Sequence, residues 1–272
     1  MLSRISTIMI FDLHNDYPTA LDKSKFDGYV STNDGVTIVA AVFTAEFDRA
    51  IAADKVKDMR AALRGVPTAI EDMGFVTDEK TLSDFDFGGL LYCSLTWNYN
   101  NAFAGGALDD GTLTPLGRRA IELMNGRCAV DLAHLNKKSF YAALDTAARP
   151  ICSHTAFGEH PRCLDDAQIR ALTARRGLIG LCAVRSFTGA ETADALCAVA
   201  DTFVQRYGAD CLCLGTDFNG TADLPEDLRD YRDIPRLIDG FIKRGYASAD
   251  INKILYDNAK QLYEETIRER HL

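Results

Sequence analysis

Three of the five histidines sit where short apolar runs end. His14 lies in Phe11-Asp12-Leu13-His14-Asn15-Asp16, just after Ile8-Met9-Ile10. His134 closes Asp131-Leu132-Ala133-His134, after Cys128-Ala129-Val130, and His154 closes Ile151-Cys152-Ser153-His154, after Pro150. Carboxylates hold similar places: Asp16 two residues past His14, Glu71 after Ala69-Ile70, and Asp217 within Gly215-Thr216-Asp217-Phe218-Asn219-Gly220. Imidazole and carboxylate are what a catalytic zinc requires, and a strand end fixes their direction while the loop beyond leaves the metal open. On an extended segment, residues two apart point to one side, so His14 and Asp16 can share an ion. Taken singly each residue has an ordinary explanation: a loop histidine beside a helix cap, satisfied core histidines, a surface Glu71, a turn-forming Asp217. Together they fit a two-metal hydrolase, in which a metal-held hydroxide attacks a carbonyl polarised by the same ions.

Such residues converge only if the chain brings its strand ends together. Eight β-rich runs occur: Thr7–Asp12, Val36–Phe43, Val66–Glu71, Gly89–Thr96, Arg127–Ala133, Arg149–His154, Gly177–Val184 and Asp210–Asp217. Most are apolar throughout, which suits parallel strands covered on both faces. Between them lie helical signals: Glu46–Leu63; Leu116–Met124 behind Thr114-Pro115; Lys137–Ala147 behind Asn136; Ala167–Thr173 behind Asp165-Asp166; and Ala193–Tyr207 before Gly208. Asp233–Lys243 and Ser248–Arg270 read as closing helices. Eight alternations predict a TIM-like (β/α)8 barrel spanning residues 1–272 as one domain, with a doubly wound open sheet as the competing architecture. The candidate residues, with Trp97, Asn98, Asn100 and Asn101 after the fourth run, then gather at the C-terminal mouth. His160 and His271 read as a loop and a tail residue, not as ligands.

Composition agrees. A chain of 272 residues has the length of such a barrel, which is roughly 250 residues. Its 47% hydrophobic and 25% charged residues are those of a soluble globular protein. The net charge of −9 speaks against a nucleic-acid partner. No apolar run approaches the roughly 20 residues of a membrane helix, and no export signal stands out. Six of the eight cysteines lie inside apolar runs, with no Cys-x-x-Cys spacing, so reduced core thiols and a cytoplasmic location are expected.

The ordered motifs resemble those of the membrane dipeptidase family, also called renal or microsomal dipeptidases, which are zinc metallopeptidases on a TIM-like barrel. The matching stretches are Asp12-Leu13-His14-Asn15-Asp16, Ile70-Glu71, Leu95-Thr96-Trp97-Asn98, Asp131-Leu132-Ala133-His134, Ser153-His154-Thr155, Pro161-Arg162 and Gly215-Thr216-Asp217-Phe218-Asn219-Gly220. Ile254-Leu255 with Asn258 is similar to the family's closing helix. The resemblance implies two Zn2+ per chain, one on His14, Asp16 and Glu71 and one on Glu71, His134 and His154, with Glu71 bridging. It implies that Arg162 holds the terminal carboxylate of a dipeptide. Asp217 would take a proton from the bridging water and pass it to the leaving amine.

Two departures matter. Trp97 stands where the family has a histidine that touches substrate and steadies the tetrahedral intermediate. Asp72-Met73 follow Glu71 where small residues are common, and the chain is shorter than typical members. Trp97 and Asn98 are therefore expected beside the substrate, with Trp97 narrowing the pocket. If Trp97 instead turns away, Asn98 or Asn100 is free to bond the oxyanion. Two further functions stay open: metal-dependent hydrolysis of another amide or cyclic amide, and an inactive metal-retaining protein that binds small amino-acid ligands. Arg162 and Asp217 speak against the second. A homodimer is left open.

Overall fold

All eight apolar runs become strands, because continuous Val, Ile, Leu, Ala and Cys suit a sheet buried on both faces. A computed structural model describes residues 9–18, 35–45, 48–63 and 65–269. The strands are β1 Ile10–Asn15, β2 Val36–Phe43, β3 Thr68–Glu71, β4 Leu90–Ser94, β5 Ala129–Asp131, β6 Pro150–Thr155, β7 Leu178–Leu181 and β8 Leu212–Leu214. Each pairs in parallel with the next, and β8 returns to β1 through Asp12 and Leu214, so the sheet is a closed barrel of the TIM (β/α)8 type. An open sheet is excluded by that last pairing. The start of the first predicted run, residues 7 and 8, lies outside the described residues.

Helices form where caps and spacing predict them. Thr114 caps Pro115–Met124, Asn136 caps Lys137–Thr146, Asp165 and Gln168 form a capping box on Asp166–Ala174, and Thr192 caps Ala193–Tyr207. The first described helix is Arg49–Ala62, capped by Asp48. Two short helices, Glu79–Asp84 and Arg185–Thr188, escape sequence analysis because they hold too few apolar residues to show a period. The predicted final helix is continuous from Ser248 to Glu269 but contains a π-helical turn at Lys253–Asp257. Ala259 and Leu262 pack into a cluster with Phe11, Leu13, Val39 and Tyr92, and the rings of Tyr256 and Tyr263 lie 6.3 and 5.9 Å from Phe11. This helix therefore closes the N-terminal end of the barrel and leaves the opposite mouth for chemistry.

Two histidine-bearing strands are bulged. In β1 the register slips between Asp12 and Asn15, and in β6 it slips between Cys152 and Thr155. A bulge opposes an extra residue to its neighbour and re-aims a side chain at a barrel rim.

Candidate metal centre

Strand ends deliver the five sequence-predicted ligands to one point. His14, Asp16 and Glu71 form one group of donor atoms lying within 4.8 Å of one another, and Glu71, His134 and His154 form a second. Glu71 belongs to both. Its Oε2 faces His14 Nε2 at 3.6 Å, while its Oε1 lies 2.7 Å from His134 Nε2 and 3.6 Å from His154 Nε2. Asp16 Oδ2 is 3.3 Å from His14 Nε2. A third group joins Asp217 to His14 and His154. All but Asp217 are buried.

The hydrogen bonds on the far side of each imidazole decide which nitrogen is bare. His14 Nδ1 lies 2.7 Å from the Tyr92 hydroxyl, whose own proton goes to the Leu13 carbonyl. His134 Nδ1 donates to Asn98 Oδ1 at 2.9 Å, and His154 Nδ1 faces Ser153 Oγ at 2.9 Å. With Nδ1 protonated in all three, every Nε2 turns a lone pair inward, as metal-bound histidine requires. His134 Nε2 and His154 Nε2 then stand 2.8 Å apart, lone pair toward lone pair, an arrangement that calls for a cation. His14 Nε2 and Asp16 Oδ1 are buried without hydrogen-bond partners among the described residues. The donor set therefore fits a pair of divalent ions.

Electrostatics agree. Burial, and then the charge of Glu71, pushes the Asp16 carboxyl up, and burial followed by Asp16 does the same to Asp217. Burial lowers His14, but Tyr92 and the nearby carboxylates of Asp16 and Glu71 outweigh it and raise the imidazole well above its ordinary range, so the surroundings of Nε2 favour positive charge. Burial holds His134 and His154 well below the ordinary imidazole range, with Arg162 and His14 respectively adding to the effect.

Around the ligands opens a cleft of about 390 Å³. Arg162 is buried in its wall, with one guanidinium nitrogen 3.0 Å from His134 Nε2 and its Nε unpartnered. The guanidinium lies over the Phe187 ring at 5.6 Å. Trp97 lines the cleft, edge-on to Phe43 at 5.2 Å and 5.9 Å from the His134 ring. Asn98 also lines it, with its oxygen committed to His134. Asp217 lies 3.9 Å from His14 Nε2 in a left-handed conformation, φ 63°. Four of the five described non-glycine residues with positive φ, Asp72, His134, Asp217 and Asn219, sit at this mouth, where backbone strain characteristically collects.

Other candidates fall elsewhere. His160 accepts from the Arg162 amide and packs at a tilt against Phe187, so it supports Arg162 instead of joining the ligands. Asn100 shapes its own loop through Asp109 and Gly111. His271 lies outside the described residues. Sequence reasoning missed Tyr92, Asp131 and Ser153, which orient the histidines, and Asp12, which binds Thr216 and Tyr231 beneath them. The available signal was a carboxylate, Asp12 or Asp131, inside an apolar run, since a buried charge must gather donors.

Known proteins place this site in a family. The family described as membrane dipeptidase (peptidase family M19) matches residues 27–271. The chain belongs to that family. The "Uncharacterized protein in pqqA 5'region" of Klebsiella pneumoniae is 28% identical over 225 residues, covering 75% of this chain and 80% of that protein. Dipeptidase tcpJ of Claviceps purpurea is 28% identical over 190 residues, which is 65% of this chain but 45% of the longer relative. A metallo peptidase from Rhodobacter sphaeroides, liganded with a phosphinate mimic of the dipeptide L-Ala-D-Ala, superposes with a TM-score of 0.82 at 20% identity, over 96% of this chain and all of that one. An amidohydrolase from Pseudomonas aeruginosa gives 0.80 at 17% identity, over 95% of this chain and 96% of that one. Likeness at these identities speaks for the fold. No described helix is long and apolar enough to cross a membrane.

Proposed function

We propose that this chain is a binuclear zinc dipeptidase that hydrolyses free dipeptides to amino acids. One observation carries the reading: Glu71 presents one oxygen to His14 and the other to His134 and His154. Membership of the membrane dipeptidase family supports the reaction class, and a relative named dipeptidase and a fold neighbour holding a dipeptide mimic support the substrate. Three bare imidazole nitrogens with carboxylates suit zinc, a borderline-soft ion. His14, Asp16 and Glu71 would hold one ion, and Glu71, His134 and His154 the other. When bound, the pair supplies an acidified water and polarises the scissile carbonyl.

The chain's own residues do the rest. Arg162, a planar and permanently charged fork with no carboxylate partner among the described residues, binds the substrate's terminal carboxylate. Because it touches His134, the carboxylate it holds sets the adjoining peptide bond beside the ligand cluster. Asp217 accepts the proton at its carboxylate and gives it to the leaving amine. Trp97 and Phe43 wall one side of the cleft, and Phe187 and Val184 line it near Arg162. Eight cysteines without a disulfide support a cytoplasmic location.

Metal content and hydrolysis of a dipeptide panel, with L- and D-residues in the second position, test the proposal before and after chelation. Two divalent ions per chain are expected, with hydrolysis lost on stripping and restored by zinc. Undiminished hydrolysis by metal-free protein, or a fully loaded protein inert on the whole panel, refutes it.

A further inference from the structure

We infer that Asp131 acts through Ser153 to fix the proton of His154 on Nδ1, and thereby sets the affinity of the metal position formed by Glu71, His134 and His154. Both are positioning residues, and the inference rests on the binuclear reading above. Asp131 is fully buried and surrounded by donors. Its Oδ1 accepts the backbone N–H groups of Ala133 and Ser153, at 3.0 and 2.8 Å. Its Oδ2 accepts the hydroxyls of Ser94 and Ser153, at 2.8 and 2.6 Å. Ser153 has one proton, and the short bond to a carboxylate claims it. Its oxygen is left to accept, and the donor 2.9 Å away is His154 Nδ1. Tyr92 also lies near that oxygen, but its one proton is committed to the Leu13 carbonyl. The chain from carboxylate through hydroxyl to imidazole thus has one consistent direction, which bares Nε2.

The fold makes room for this relay. Successive residues of a regular strand point to opposite faces, yet Ser153 and His154 both face the barrel interior. The bulge in β6 allows it, with three steps from Cys152 to Thr155 set against two from Ile179 to Leu181. The bulge pushes the Ser153 carbonyl inward, where a Cβ on Gly180 or on Gly215 would lie only 1.9 Å from it. Glycine in β7 and glycine immediately after β8 therefore make room beside the residue that completes the relay.

An asparagine at 131 has the same shape and opposite consequences. Its oxygen keeps the two amide donors, but its NH2 donates to the Ser153 oxygen. The Ser153 proton must then turn to His154 Nδ1, which drives the imidazole proton onto Nε2, the nitrogen that should bind metal; wrong-tautomer substitutions of this kind preserve geometry and lose function. Zn2+ or Co2+ titration of the chelator-stripped full chain tests this in wild type, Asp131→Asn, Ser153→Ala and Ser94→Ala, with the 15N shifts of His154 as a second readout. One of the two ions should bind about 100-fold more weakly in Asp131→Asn and about tenfold more weakly in Ser153→Ala, while Ser94→Ala stays within about twofold of wild type. In the metal-free state, 15N shifts should show the His154 proton on Nδ1 in wild type and on Nε2 in Asp131→Asn. If Asp131→Asn fails to fold, Ser153→Ala carries the test, because it leaves Asp131 three of its four donors. Wild-type affinity for both ions in Ser153→Ala, or equal loss in Ser94→Ala and Ser153→Ala, overturns the relay. A wild-type chain that binds fewer than two ions overturns the binuclear reading itself.

Discussion

Replacing Gly220 with alanine should cripple the site while sparing the fold. Gly220 lies in the loop after β8, and a Cβ built there would stand 2.2 Å from Asp16 Oδ2 and 2.5 Å from Asp217 Oδ1. Ordinary contact begins near 3.4 Å, so the two carboxylates or the loop must give way by about 1 Å. Metal–ligand distances tolerate roughly 0.2 Å, so a shift of that size removes Asp16 from an ion it would hold. A 1 Å misplacement of a reacting group costs roughly 100-fold in rate, or about 2.7 kcal/mol of barrier. The backbone itself does not object, since Gly220 is absent from the left-handed glycines and alanine reduces the freedom of the unfolded chain. Three measurements check this: kcat/KM on a dipeptide, bound metal, and the melting temperature with and without zinc. The expected variant melts near wild type when metal-free, loses most of the zinc-dependent rise, and turns over at about one hundredth of the wild-type rate. Two tightly bound ions and wild-type kcat/KM in Gly220→Ala would refute the steric argument.

Asp217→Asn keeps the volume of the side chain but removes its basic oxygen, so turnover should fall by roughly 100-fold or more with metal content near wild type; wild-type turnover in the variant would remove Asp217 from proton transfer. Glu71→Ala should impair both metal positions, whereas His134→Ala should impair chiefly one, and elemental analysis of the two purified variants separates these outcomes. Trp97 packs edge-on to Phe43 at the cleft wall, so wild type should favour dipeptides with small side chains on that side, and Trp97→His should widen the range. Kinetics on dipeptides of graded size decide this, and identical size profiles for the two proteins would count against a pocket role for Trp97.

Most of the barrel was legible because its signals are local. Each of the eight runs contains its strand core, and the caps at Thr114, Asn136 and Asp165 stand where helices start. Val36–Phe43 coincides with β2, whereas a run such as Arg127–Ala133 exceeds the observed Ala129–Asp131 at both ends, because apolar residues such as Cys128, Leu132 and Ala133 continue into buried segments beyond the strand. The first strand erred the other way, extending past Asp12 to Asn15, so that His14 belongs to the strand itself. What made this invisible is the bulge, which depends on how β1 meets β2 and leaves no mark in β1 alone. The same is true of the π-helical turn at Lys253–Asp257, whose residues read as ordinary helix formers.

Residues that act on ions or substrate advertise themselves by type, since a histidine or glutamate at the end of an apolar run has few structural reasons to be there. Residues that orient them do not, because serine, tyrosine and aspartate serve many ordinary purposes. Ser153 is one serine among several until β6 bulges, Gly180 and Gly215 make space, and Asp131 arrives from the preceding strand β5. Asn98 sits in the matching Leu-Thr-Trp-Asn stretch, and the fold reveals its bond to His134. The consequence is chemical. Three imidazoles with three different partners, a phenol, a carboxamide and a carboxylate-backed hydroxyl, cannot be equally basic ligands. The position holding His154 has the charged relay, yet it also faces Arg162, while the position holding His14 has the second carboxylate, Asp16. On the proposed binuclear reading, the two ions would therefore be held by different balances of charge, and they should differ in affinity before any substrate arrives.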